Sequence, residues 1–123
     1  MISVLISSQS IYKFDRERMR RAVERTVAAA GIGGEVTVSL AVVGNRKMRE
    51  LHKKYMETDE TTDVLSFPLE ERRDPEGVLW LGDIVVCYPV VMVQAGENNR
   101  LVDEEMEFLV EHGTKHLLGI HHE

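Results

Sequence analysis

A chain of 123 residues with 43% hydrophobic and 29% charged side chains has the size and balance of one globular domain, able to bury roughly two-thirds of its unfolded surface without a disulfide. This composition excludes disordered and collagen-like chains, and a net charge of −6 excludes a protein that coats nucleic acid indiscriminately, so any RNA contact must be confined to a local face. The single cysteine, Cys87, lies in an apolar run and reads as a buried thiol in a reducing, cytoplasmic setting; the apolar start has no basic leader, and no apolar run approaches the ~20 residues of a membrane span.

In chain order, residues 2–7 are rich in branched apolar side chains and read as a short strand. Asp15 opens a helix whose apolar positions, Met19, Val23, Thr26/Val27 and Ala30, follow a 3.6-residue period, and Gly31, Gly33 and Gly34 end it. Val36, Val38 and Leu40 alternate with Thr37 and Ser39 and continue into Ala41-Val42-Val43, a second strand. Asn45 is a plausible cap for the next helix, with Met48, Leu51, His52 and Tyr55 on its inward stripe. Thr62–Pro68 is rich in strand formers, Glu70–Gly77 is charged and reads as an exposed turn, and Leu79–Val86 returns as an antiparallel partner.

Pro89 suits the first turn of a third helix, which runs to about Asn98. The final helix starts near Asp103, with Glu104 and Glu105 favourable at its N-terminal dipole. Its core stripe is Met106, Leu109/Val110, Gly113 and Leu117, and Gly119 ends it. The order βαβαββαα, with a parallel right-handed crossover at the start and a hairpin later, predicts an α+β fold. Residues 1–123 should form one domain, with a mixed four-stranded sheet packed against helices.

Four of the five histidines fall within residues 112–122. His112 and His116, four apart, project from one helix face on a shoulder of the apolar stripe, where a helix borders a cleft. Gly119 lets the chain turn back, so that His122 becomes available as a third ligand from outside the helix. Three imidazoles leave one coordination position open, the arrangement of a catalytic zinc site rather than a closed structural one. An isolated His-x-x-x-His pair is more often an accident of a polar helix edge; the helix-ending glycine and the third histidine favour the metal. Zinc peptidases place glutamate directly after the first histidine. Here that position is Gly113, which disfavours peptide hydrolysis and sends the search for a general base elsewhere.

The ending His-Gly-Thr-Lys-His-Leu-Leu-Gly-Ile-His-His closely resembles the signature of the YbeY family. Two further stretches, Thr62-Asp63-Val64-Leu65-Ser66-Phe67-Pro68 and Leu81-Gly82-Asp83-Ile84-Val85-Val86, resemble that family's other signatures in the same order. The resemblance runs from the second strand to the C-terminus. It implies a metal-dependent endoribonuclease acting on single-stranded RNA in ribosomal RNA maturation and small-subunit quality control. It further implies a mixed four-stranded sheet, one divalent transition metal, zinc above others, on His112, His116 and His122, and the small ribosomal subunit as partner.

Three residues depart from the family pattern. Met56 follows Tyr55 where the family carries an arginine able to bind phosphate; Lys115 replaces a leucine; and His121 replaces an aspartate beside the last histidine. Met56 favours a second reading, a ribosome-associated metal-binding module with little nuclease activity. The chain stops at Glu123 where relatives continue into another helix, so apolar surface near the last helix is expected to be covered by self-association or a partner.

The remaining polar residues support neither a catalytic acid nor a nucleophile. Arg46, Arg49 and Lys53 share a side of their helix and suit either RNA phosphates or plain solvation. Arg16, Arg18, Arg20, Arg21 and Arg25, interspersed with Glu17 and Glu24, read as solubilising pairs within the first helix. Asp63 and Asp83 suit orienting a histidine, accepting a proton or capping a turn. Ser66 has no base nearby in sequence. His52, Trp80 and Phe67 are expected in the core.

Overall fold

The computed structural model describes residues 1–56, 63–69 and 72–119. Its elements are β1 (Ile2–Ser8), α1 (Arg16–Ala29), β2 (Glu35–Val43), α2 (Asn45–Met56), β3 (Val64–Pro68), β4 (Val78–Cys87), α3 (Tyr88–Glu97) and α4 (Val102–Leu117). The order expected from sequence holds throughout. The strands form one sheet in the order β1-β2-β4-β3. β1 pairs parallel with β2 and β2 parallel with β4, whereas β3 pairs antiparallel with β4. None of the described helices is long and apolar enough to cross a membrane.

The helices begin and end where local chemistry dictates. Asp15 accepts the amide N–H of Arg18 at 3.0 Å and caps α1. Pro89 lies in the first turn of α3. Glu104 reaches back to accept the amide of Leu101 at 2.8 Å at the start of α4. Gly119, at φ +75°, follows the last turn of α4. The α2 cap differs from expectation: the Gly44 carbonyl accepts the first helical bond, from Met48 N–H, and Asn45 is already helical. Its side-chain oxygen instead accepts from the Cys87 thiol, whose pKa is raised by burial. Cys87 is therefore a packed thiol and no nucleophile.

The sheet separates two cores of unequal size. On one face Val36, Val38, Leu40 and Val42 of β2 pack with Met19, Val23 and Val27 of α1 and Met106 and Val110 of α4. On the other, Met48 of α2 covers a small cluster with Leu65, Val85 and Cys87. Strand β4 serves both faces through a phase slip. Leu81, Ile84 and Val86 all belong to the larger core, although strict alternation would turn Leu81 away from the other two. The pairing with β2 shifts between Thr37 and Val38, so that Trp80 and Gly82 face consecutive β2 residues and Leu81 is the extra one. Gly82 takes φ +142°, and a Cβ there would lie 2.3 Å from the Phe67 carbonyl oxygen. Only glycine fits.

Two sequence expectations change here. Trp80 is 43% exposed rather than core, because it lies opposite Leu79 and Leu81 and its indole N–H donates to Asp74 at 3.1 Å. The α1 arginines mostly pair outside their own helix. Arg18 and Arg25 meet Glu107, and Arg25 also meets Glu111, joining α1 to α4; Arg20–Glu17 is a pair within the helix.

Candidate active site

Helix α4 carries the site because its faces differ. Met106, Leu109, Val110, Gly113 and Leu117 are buried, while His112 is exposed and His116 half-buried on the flank of that seam. The two imidazole rings lie 4.8 Å apart, inclined by 54°. They border a cleft of about 650 Å³ to which α2 contributes His52 and Tyr55, and β3 contributes Leu65, Ser66 and Phe67.

Gly113 sets the height of the histidine pair. A Cβ at this position would lie 2.9 Å from Ile84 Cγ2 and 3.2 Å from Ser66 Oγ. The Ser66 hydroxyl donates to the Gly113 carbonyl at 3.3 Å. The turn bearing both imidazoles is therefore held down on β3 and β4. The same crowding leaves no room for a glutamate after the first histidine. It also gives Ser66 a structural partner in place of a base.

The donor chemistry fits a transition metal as far as the described residues reach. Two imidazoles holding one ion at ~2.1 Å and a near-tetrahedral angle put their ring centroids roughly 5 Å apart. The observed separation is 4.8 Å. Among the described residues no cluster of three His, Cys, Asp or Glu side chains is placed to hold a metal ion. The third sequence-predicted ligand, His122, lies outside the described residues, as do His121 and the side chain of Met56.

Other expectations separate cleanly. Asp63 borders the cleft; its carboxylate accepts the Val64 N–H at 2.7 Å and its carbonyl the Cys87 N–H at 2.8 Å, fixing the start of β3. Asp83 is exposed and borders a different cavity with Ser39, Ala41 and Val85, so among the described residues it orients neither His112 nor His116. His52 and Phe67 border the cleft instead of lying in the main core, and Tyr55 is 53% exposed rather than inward. Lys115 is exposed and does not border the cleft. No lysine or arginine is among the described residues that border it. Sequence reasoning missed Phe108. Its spacing, four residues before His112, was the available signal.

A mixed four-stranded sheet with helices on both faces, and a histidine-bordered cleft beside strand β3, place the molecule in the α+β class. The family model described as endoribonuclease YbeY matches residues 5–123. A curated endoribonuclease YbeY of Moorella thermoacetica is 40% identical over 112 residues, covering 85% of this chain and 72% of that one. Its counterpart from Roseiflexus castenholzii is 32% identical over 127 aligned residues, covering 100% and 80%. A solution structure of a Thermotoga maritima protein superposes with a TM-score of 0.62 at 27% identity, over 98% of this chain and 75% of that one. The chain belongs to the YbeY endoribonuclease family.

Proposed function

We propose that this protein is a metal-dependent endoribonuclease that hydrolyses single-stranded RNA in the cytoplasm, in ribosomal RNA maturation and small-subunit quality control. The observation that supports this most is the His112–His116 pair, 4.8 Å apart at the border of a cleft, in a chain of an endoribonuclease family. His112 and His116, with His122 as third donor, are the residues that would hold the ion, with zinc preferred for three imidazoles. When bound, such an ion supplies Lewis-acid polarisation of a phosphodiester and lowers the pKa of water toward 7.

The chain's own residues do the rest. Ser66 and Gly113 hold the histidine turn at a fixed height above β3. Leu65, Phe67 and Leu109 give the cleft apolar surface that restricts water. Asp63 is the carboxylate that the described residues bring to the cleft, and it is placed to accept a proton or hydrogen bond.

The absence of a cation among the described bordering residues, with Met56 in the family arginine's position, favours one second reading, a ribosome-associated metal-binding module. Metal-quantified protein incubated with ribosomal RNA distinguishes the two. Wild type should carry about one ion per chain and cleave, and His116→Ala should lose both. Met56→Arg should accelerate cleavage by up to ~10²–10³, the usual value of one charge-stabilising contact. No cleavage by any variant, together with firm ribosome binding, would leave the module.

A further inference from the structure

Two aromatic side chains border the histidine cleft while remaining largely in solvent, Tyr55 at 53% and Phe108 at 56% exposure. They come from different elements, each beside a histidine of the cleft. Phe108 stands one turn before His112 on α4, and Tyr55 one turn after His52 on α2. A single exposed apolar side chain needs no explanation. Here each ring also holds a cation over one of its faces, showing that the face is open to a stacking group: Lys54 Nζ lies 5.2 Å over the Tyr55 centroid, and Arg100 Cζ 5.5 Å over that of Phe108. The arrangement is anchored from behind. Tyr55 tilts against Phe67 at 4.9 Å, and Arg100 is held by the carboxylate of Glu105 at 3.4 Å.

We propose that Tyr55 and Phe108 are stacking platforms, each taking one unpaired base of a single-stranded RNA whose backbone passes the histidine pair, with the exposed Lys54 leaving the Tyr55 face to meet an adjacent phosphate. The inference rests on the endoribonuclease reading and names how its substrate is held. An exposed ring accepts any base, because every base has a π-face, so such platforms select for strandedness with little regard to sequence. Bases within a duplex are already stacked and are excluded. Lys54 matters because the chain carries a net charge of −6, which repels RNA unless local positive charge offsets it.

The test is binding of a labelled single-stranded oligoribonucleotide, read by fluorescence anisotropy at one salt concentration. Tyr55→Ala and Phe108→Ala should each weaken binding at least ~fivefold, the lower end of what one stacked base contributes. Tyr55→Phe and Phe108→Trp should retain it. An oligonucleotide of equal length made of abasic nucleotides should bind wild type weakly, and the alanine changes should weaken it no further. RNA should quench the new indole of Phe108→Trp beyond the response of Trp80 in wild type. Wild type that binds single strands while both alanine variants bind as tightly overturns the platforms and leaves the nuclease reading intact. Equal losses on the abasic and normal strands overturn them too. Wild type that neither binds nor cleaves single-stranded RNA overturns the nuclease reading itself.

Discussion

Asp74 shows how much one surface side chain can organise. Its Oδ1 accepts the amides of Glu76 and Val78, each at 2.9 Å, and its Oδ2 accepts the Trp80 indole N–H. With Pro75 next and Gly77 at φ +85°, it closes the turn that leads into β4. The Val78 amide, followed by the Trp80 indole, holds the Asp74 carboxyl below its ordinary value. Glu107 is depressed in the same sense, by Arg18 first and also by Arg25, against the opposing effect of burial. A depressed carboxyl contributes stability above its unfolded pKa of about 4, and that contribution disappears as pH falls through the lower folded value. Wild type should therefore resist urea better than Asp74→Asn at pH 7, and the two midpoints should converge in acid. A gap that stays constant from pH 7 to pH 3, followed by circular dichroism, would contradict this assignment.

Among the elements, β4 best separates what the sequence displays from what it conceals. The 3.6-residue stripes of α1 and α4 and the alternation in β2 are local patterns, and the structure follows them except at Ala30, which is exposed at the C-cap of α1. The phase slip in β4 depends on contacts with β2, β3 and α4, and its local trace is little more than a glycine in an apolar run. Its consequence for substitution is direct. Gly82→Ala must place a methyl group against the Phe67 carbonyl and Leu117 while holding a positive φ. The cost should be about 3 kcal/mol or more, measurable by chemical denaturation; a cost below ~1 kcal/mol would mean the slip relaxes easily. The site was legible in the same uneven way. His112 and His116 are visible from spacing alone. That His52 borders a cleft depends on α4 lying nearby, a placement made by residues distant in sequence.

For the molecule as a whole, α4 is restrained from several directions. Met106 and Val110 sink into the large core, Glu107 and Glu111 pair with arginines of α1, and Ser66 grips the Gly113 carbonyl. None of those contacts is made by an imidazole. The backbone entropy of bringing His112 and His116 to one helix face is thus lost during folding, and only side-chain freedom remains to be lost when a ligand arrives. A synthetic peptide of residues 102–123 has the same histidines but lacks the tertiary packing that supplies most of a helix's stability. It should bind zinc at least about a hundredfold more weakly than the intact chain, as calorimetric titration of both would show. Equal affinities would mean that the rest of the fold adds nothing to binding. Preorganisation of this kind also limits adjustment: with the proposed metal on these histidines, an ion whose preferred geometry differs from the spacing held by Gly113 and Ser66 would have to strain the sheet as well as the side chains, and the packed interior itself would take part in metal selectivity.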